Sequence, residues 1–354
     1  VSTIGRLLLS ITNPLITFAV LRQGFLFLRD SDASKFVIVI VAIIWGVGGV
    51  ALLYVVANWL IEQFPLNVRR VLLPYVFVGP AIAILFWYLA APVARTLYIS
   101  LFDRTSDNFV GLANYGEIFT NNTLLTAFRN NLLWIVFGAT FSIIFGLLIA
   151  VLADRSKFEK VAKSLIFLPM AISFVGAGVI WNFIYEVKDA SVPQIGLLNA
   201  IYVGLGGEPQ AWTALLQPWN NLFLIVIVIW LQTGFAMVLF SAALKGIPSE
   251  LMEAARVDGA TEVQVFFRIM IPYISGTIIT VSTTVIIFTL KIFDVVWVMT
   301  GGQFGTQVIA TQFYREYFTN RNFGFGSAIA IVLMIAVIPV MIYNLKQFGE
   351  QEAF

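Results

Sequence analysis

The chain has 354 residues, of which 60% are hydrophobic and only 11% are charged. Soluble domains carry about twice that share of charge, so the composition predicts an all-α, polytopic integral membrane protein built as a helical bundle. A net charge of +2 gives no reason to expect a nucleic-acid partner. The absence of Cys and His excludes disulfides, thiol catalysis and nearly all transition-metal sites.

Seven uncharged apolar runs of about 20 residues or more, together with an apolar stretch at 7–28, predict eight membrane spans. The first run contains Asn13, Pro14 and Arg22, so an interfacial helix is its alternative. The seventh is expected to continue as a helix past Lys291 and Asp294. In chain order the predicted spans are 7–28, 36–61, 71–94, 130–153, 164–185, 222–244, 269–299 and 322–345.

Basic residues in short loops mark the cytoplasmic side of a membrane protein. Arg69 and Arg70 flank one loop, and Arg155, Lys160 and Lys163 lie in another. These loops predict a cytoplasmic loop at 245–272 and cytoplasmic N- and C-termini. The predicted organisation is extra N-terminal helices over 1–70, a transmembrane core over 71–346 and a cytoplasmic tail over 347–354.

A polar stretch interrupts the apolar segments at 247–272, with the sequence IPSELMEAARVDGATEVQVFFRIMIP. Ser249 predicts the N-cap of a short helix, and Glu250 lies in its first turn, where the helix dipole favours a carboxylate. Gly259 supplies a left-handed residue that ends this helix, and Thr261 with Gln264 predicts a capping box for a second one. The first helix is either a knob for a groove on a soluble partner or a simple linker between spans.

The spacing within this stretch resembles a known motif. Glu253-Ala254-Ala255, three residues, Gly259, nine residues and Ile269-x-Ile271-Pro272 match the EAA loop of permease subunits in binding-protein-dependent ABC importers, with Ile271 where the motif has Leu. Segments such as GLANYGEIF, FLPMAIS and KIFDVVWVMTGG are similar to the sugar-permease branch, from about residue 74 to the C-terminus. Within that branch the chain looks most like permeases for α-glucosides and for osmolytes such as trehalose, sucrose and glucosylglycerol.

The resemblance implies a six-helix type I importer core, a site in the bacterial plasma (inner) membrane and a coupling helix that docks on an ATPase. The two helices ahead of the core resemble those of the larger maltose permease subunit, whose large periplasmic insertion is missing here. Glu253 is expected to pair with a basic ATPase residue, and Asp258 either pairs there or caps the helix locally. The expected coupling residues are Glu250, Leu251, Glu253, Ala254, Ala255, Asp258 and Gly259.

The resemblance also implies a set of partners. These are a second permease subunit that completes the pore, two ABC ATPase subunits, an extracytoplasmic solute-binding protein and membrane lipid, with a sugar or glucosylated osmolyte as substrate. The chain has no Walker A pattern, so ATP and magnesium are expected on the partner ATPases. No catalytic residue, metal or cofactor is expected in this chain itself.

Two spans carry the residues expected along the solute pathway. Aromatic rings stack on sugar faces, and amides and hydroxyls bind sugar hydroxyls; the resemblance to the maltose permease selects these two segments. Trp230 and Phe235 have ordinary core packing as their alternative, and Lys291 with Asp294, expected on one helix face, have a structural ion pair as theirs. The full set is Trp230, Gln232, Thr233, Phe235, Phe288, Thr289, Lys291, Phe293 and Asp294.

Two rival functions remain open at this stage. An ion-gradient-driven secondary transporter favours inverted repeats and broken helices, neither of which the sequence shows. A non-transporting membrane scaffold is the other rival. Dependence of uptake on ATP separates the importer from the carrier.

Overall fold

The computed structural model describes residues 3–154 and 156–351 and divides the chain into two compact units, Val1–Ala94 and Arg95–Phe354. Arg155 of the predicted cytoplasmic loop and residues 352–354 of the predicted tail lie outside the described residues. Helices account for both units, and the isolated bridge between Phe102 and Phe109 is the one β-type pairing within the described residues. The all-α prediction is therefore confirmed.

The first unit is made of long apolar helices. Helix α1 covers Thr3–Asp30, α2 covers Lys35–Glu62 and α3 covers Leu66–Ile99, which continues past the unit boundary with a π-helical turn at Phe86–Ala90. The Trp45 indole of α2 donates a hydrogen bond of 2.9 Å to the Leu21 carbonyl of α1. Gly24 makes this contact possible, because a Cβ there would lie 2.1 Å from the Trp45 ring.

The second unit continues the chain through shorter and bent elements around one central helix. In order these are α4 Ala113–Ile118, α5 Asn122–Asp154, α6 Glu159–Ala171, α7 Phe174–Tyr185, α8 Leu197–Gly204, α9 Trp219–Lys245, α10 Ser249–Val257, α11 Glu262–Tyr273, α12 Ser275–Leu290, α13 Asp294–Thr300, α14 Ile309–Tyr314 and α15 Phe323–Gln351. A π-helical turn at Trp134–Ala139 interrupts α5, and another, Arg315–Thr319, extends α14.

Five of the described helices are long and apolar enough to cross a membrane: α2, α3, α5, α9 and α15. Two bent pairs, α6 with α7 and α11 with α12, bring the number to seven if each pair is one span. Helix α1 is 28 residues long, about 42 Å at 1.5 Å per residue. Its length suits a crossing, and its place as the eighth span stays a prediction.

Two predicted spans differ from a single continuous helix. The segment 164–185 turns by 103° between α6 and α7, where Pro169 lies in the last turn and the Ser173 hydroxyl caps the next helix by accepting from the Gly176 amide at 3.0 Å. The prediction of one helix over 269–299 is wrong. The chain bends by 71° before Ser275, just after Pro272, and it leaves the helix again after Leu290 before restarting at Asp294.

Helix α9 is the centre of the second unit and has buried residues along its whole length, from Asn220 to Leu244. Its N-terminal half packs in one apolar cluster and its C-terminal half in another, and α5 contributes to both. The two helices approach closely because Gly146 of α5 has no side chain: a Cβ there would lie 2.4 Å from Ala236 Cβ and 2.9 Å from the Met237 amide nitrogen. In lipid the hydrophobic effect does not drive helices together, and the close van der Waals packing that small residues permit is a main source of their association.

Replacing Gly146 with leucine should therefore push α5 away from α9. We expect a loss of about 1–3 kcal/mol from overpacking, seen as a lower melting temperature of the detergent-solubilised chain.

Gly79→Leu is the matched control, because a Cβ on Gly79, also within a helix, would meet nothing within 4 Å. Equal melting of the two variants would contradict the close α5–α9 crossing.

Candidate coupling loop and solute pathway

The polar stretch after α9 folds as a helix–turn–helix made of α10 and α11. Glu250 occupies the first turn of α10, and Gly259 has the left-handed φ of +85° expected of it. The capping box is present: the Gln264 amide donates to Thr261 Oγ1 at 3.3 Å, and the Thr261 amide donates to Gln264 Oε1 at 2.8 Å. The Ser249 prediction is wrong by one residue.

Pro248 is the N-cap of α10, and Ser249 is the first helical residue, without a capping hydrogen bond. The reason is local. Proline pre-sets its own φ, here −56°, and with ψ at 132° Pro248 takes the non-helical conformation that an N-cap needs.

Helix α10 turns one face to the bundle and leaves the other open. Met252 packs against the apolar cluster around the C-terminal half of α9, and Ala255 is half-buried. Glu253 and Ala254 are exposed, and Val257 is 87% exposed. The open face therefore combines carboxylate, small and aliphatic side chains, a surface suited to close approach by another protein.

An ion pair holds the two short helices together. Arg256 Nε donates to Glu262 Oε1 at 2.7 Å, and this neighbouring carboxylate raises the pKa of the Arg256 guanidinium above its ordinary value. Both side chains are exposed, so the pair directs the turn around Gly259 more than it adds stability.

A polar cluster, which we call the α9 C-terminal network, lies at the end of α9 just ahead of α10. The Lys163 ammonium donates to the carboxylates of Asp154 and Glu159, the latter at 2.6 Å, and to the Ser241 hydroxyl. Ser241 in turn donates to Asp154 Oδ1 at 2.9 Å, and Lys245 pairs with Glu159. The network joins the ends of α5, α6 and α9 just before α10 begins.

The sequence alone singled out Lys163 only as a cytoplasmic marker and missed the network. The signal available was the position of its charged members: Asp154, Lys163 and Lys245 each flank an apolar run, where opposite charges can meet at the surface of the membrane.

The pathway residues on α9 lie inside the bundle. Trp230 and Phe235 are half-buried. The centres of the Trp230 and Trp181 rings lie 5.8 Å apart in an edge-on arrangement, which agrees with ordinary core packing. Thr233 Oγ1 donates to the Ile229 carbonyl at 2.6 Å. Gln232 is only 6% exposed, and its amide makes no hydrogen bond within the described residues.

The pathway residues after α9 fall on both sides of a helix break. Phe288 is exposed on α12, and Thr289 is buried with its hydroxyl donating to the Val285 carbonyl at 3.1 Å. The Lys291 ammonium lies 5.9 Å from the centre of the Phe288 ring. Phe293 stacks on Trp297 with ring centres 5.5 Å apart.

Lys291 and Asp294 do not share a helix face, and they do not form an ion pair in this structure. The expectation assumed one continuous helix, but α12 ends at Leu290 and Asp294 opens α13. A carboxylate is favoured in the first turn of a helix, where the dipole is positive, so Asp294 already has a stabilising position without Lys291.

A second polar cluster, absent from the sequence-based predictions, lies at the other end of α9. Asn130, Asn220 and Gln217 direct their side-chain amides at backbone carbonyls of the loop 301–307. Beside this loop lies a cavity of about 870 Å³, which we call the α9 N-terminal cavity. It is lined by Arg129, Leu133, Ala214, Leu215, Leu216, Gln217, Pro218 and Phe304.

No group of three or more acidic side chains that could hold a metal ion occurs in the part of the chain that the structure describes. The two polar clusters and the exposed α10 are instead arranged around a helical membrane core. This combination is that of a membrane-embedded helical subunit with an exposed polar helix at one end.

Comparison with known proteins places the chain in a family. Residues 142–348 match the binding-protein-dependent transport system inner membrane components, and the chain belongs to this family. It is 54% identical to the osmoprotective compounds uptake permease protein GgtC of Synechocystis sp., over 78% of this chain and 99% of that one. It is 51% identical to the alpha-glucoside transport system permease protein AglF of Rhizobium meliloti, over 79% and 84% respectively.

Solved structures agree on the fold. A chain of a bacterial ABC transporter involved in the import of the acidic polysaccharide alginate superposes with a TM-score of 0.69 at 21% identity, over 80% of this chain and 97% of that chain. The type I ABC permease fold implied by the EAA motif is thus confirmed, and the family match makes the chain an inner membrane component of a transport system.

Removing the ammonium at the centre of the α9 C-terminal network should loosen the base of α10. Lys163→Met keeps the length of the side chain but leaves Asp154 without its cation, so we expect a loss of about 1–3 kcal/mol. The measurement is thermal melting, together with the protease sensitivity of the segment between α9 and α11.

Lys160→Met is the control, since Lys160 is exposed on the same helix and lies outside the network. If both variants melted alike and were cleaved alike, the network would not be holding α10.

Proposed function

We propose that this chain forms half of the translocation pore of an ABC importer for an α-glucosidic sugar or glucosylated osmolyte. The observation that carries the proposal is the exposed EAA helix α10, which packs through Met252 against the core of a permease fold. The solute class is supported by the two relatives above 50% identity, whose names specify osmoprotective compounds and alpha-glucosides.

In this proposal α10 docks into a cleft of a partner ATPase. Its open face carries Glu253 to pair with a basic residue and Ala254 to permit close approach, while Met252 keeps it fixed to the bundle. The Asp258 carboxylate makes no hydrogen bond within the described residues, which favours pairing with the partner over a local cap. Movement of the ATPase would then be passed through Lys245 and the α9 C-terminal network to α5, α6 and α9.

The remaining partners follow from the same proposal. A second permease subunit completes the pore, two ATPase subunits bind ATP and magnesium on the α10 side, and a solute-binding protein delivers solute at the opposite side. The α10 side is cytoplasmic, as are both termini. Residues 71–346 form the pore-building core, and the helices ahead of them are an addition to it.

An ion-gradient-driven carrier explains the molecule less well. The bends between α6 and α7 and between α11 and α12 are breaks of the kind such carriers contain. Membership of a family named for its dependence on binding proteins, together with the exposed α10, favours the importer. Uptake into proteoliposomes that stops without ATP and without the binding protein is the test, and ATP-independent uptake would overturn the proposal.

Reversing the charge at Glu253 should uncouple ATP hydrolysis from transport. Glu253→Lys places a cation against the expected basic partner, so we expect solute uptake to fall by tenfold or more, equivalent to about 1.4 kcal/mol or more of coupling free energy. Uptake and ATPase activity are measured in the same proteoliposomes.

Glu208→Lys makes the same charge change at an exposed residue in the loop after α8 and should leave uptake unaltered. A Glu253→Lys complex that assembled and transported normally would remove the coupling role of this residue. Because the chain has no cysteine, Glu253→Cys also gives a single site for cross-linking to the ATPase.

Gln232 should serve the solute rather than the fold. A buried amide without an internal hydrogen bond lowers stability, so Gln232→Met, which keeps the volume, should melt at the same temperature or higher. We expect KM for solute to rise about tenfold from the loss of one or two hydrogen bonds. An unchanged KM would take Gln232 out of the pathway.

A further inference from the structure

The loop 301–307 is held in an unusual backbone conformation. Gly301, Gly302 and Gly305 have φ values of 62°, 73° and 74°, which glycine adopts freely. Phe304 has a φ of 56° in the same run. A bulky side chain with left-handed backbone is strained, and such strain persists only where the surroundings impose it.

Buried amides impose the conformation here. Asn220 Nδ2 donates to the Phe304 carbonyl at 2.6 Å, and Asn130 Nδ2 donates to the Gly305 and Gln307 carbonyls, both at 2.7 Å. The Gln217 amide also donates to the Gly305 carbonyl. Asn130 and Asn220 are fully buried, so the loop is tied to the starts of both α5 and α9.

The consequence of this arrangement is an exposed aromatic ring at a fixed position. Phe304 is 58% exposed and lines the α9 N-terminal cavity. Arg129, from α5, lines the same cavity and is exposed, with no hydrogen bond or ion pair to any described residue. Gln217 uses its amide nitrogen on the loop, and its Oε1 makes no hydrogen bond within the described chain.

The volume and chemistry of the cavity suit a small polar ligand with one apolar face. About 870 Å³ lies within the range of small-molecule sites, which combine aromatic lining with a few placed polar groups. A hydrocarbon ligand would cover the donors of Arg129 and the acceptor of Gln217 without pairing them, which costs free energy. A pyranose ring offers C–H groups to an aromatic face and hydroxyls to an arginine and an amide.

We infer that the α9 N-terminal cavity is a binding subsite for a glycosyl unit of the solute, distinct from the residues expected on α9 and α12. Phe304 supplies the stacking face, Arg129 donates hydrogen bonds to sugar hydroxyls, and Gln217 Oε1 accepts one. The subsite rests on the proposed function for its solute class, and it explains why the loop keeps a strained phenylalanine where glycine would relax it.

Protection of a single thiol tests the subsite directly. Leu216 lines the cavity and is 86% exposed, and the chain contains no cysteine, so Leu216→Cys places one reactive group there. The assembled transporter is treated with a maleimide in the presence of trehalose, sucrose or methyl α-glucoside. A solute at about twice its Kd occupies two-thirds of the sites and should slow alkylation about threefold.

Variants at Phe304 separate the ring from the backbone strain. Phe304→Gly, in the Leu216→Cys background, relaxes the left-handed residue, so it should melt no lower than its parent while losing the protection. Phe304→Tyr keeps the ring and should keep the protection. Phe119→Leu, which removes a similarly exposed ring outside the cavity lining, is the matched control and should leave protection unchanged.

The outcomes also distinguish the subsite from the proposed function, because ATP-dependent uptake of each sugar is measured in the same preparation. Uptake without protection would remove the subsite and keep the importer. Protection without ATP-dependent uptake would keep the subsite and remove the importer. Protection by the binding protein with no protection by sugar alone would overturn the subsite and make the cavity a protein-docking face.

Discussion

The close crossing of α5 and α9 is the contact on which the second unit depends. In a lipid environment apolar side chains gain little by leaving the solvent, so helices associate through van der Waals contact at short range. Gly146 lets the backbone of α9 approach at Ala236 and Met237. The two helices also meet in a polar cluster at each end of α9, through Asn130 and Asn221 at one end and Asp154 and Ser241 at the other.

The two clusters use different chemistry because one stabilises a loop backbone and the other joins the ends of helices. At the start of α9, neutral amides from Asn130 and Asn220 satisfy backbone carbonyls of a tight loop, which could not be buried unpaired. At its end, charged groups join three helix ends, and Lys163 is 16% exposed, so water still relieves part of the cost of desolvation. One end thus fixes a backbone shape, and the other fixes the positions of whole helices relative to α10.

The molecule therefore has two candidate functional surfaces, one at each end of helix α9. At one end α10 presents an open face whose chemistry suits a protein partner. At the other, Phe304 and Arg129 present a face whose chemistry suits a polyhydroxylated solute. The stretch between them contains Gln232, which is 6% exposed and makes no side-chain hydrogen bond within the described residues.

The sequence by itself determined the membrane class, the long helices and the helix–turn–helix at 247–272, because hydropathy, left-handed glycine and capping chemistry all act over a few residues. It located α10 to within one residue, and only the conformational preference of Pro248 moved the cap from Ser249. It did not predict the helix breaks at Ser173 and Lys291, because the hydropathy of an apolar run is the same whether the run is straight or bent. Nor could it find the clusters built on Asn130 and Lys163, whose partners lie up to 177 residues away along the chain. Those contacts form because α5 and α9 pack closely. Tertiary packing alone therefore decided which polar groups pair with each other and which, like those of the α9 N-terminal cavity, have no partner within the described chain.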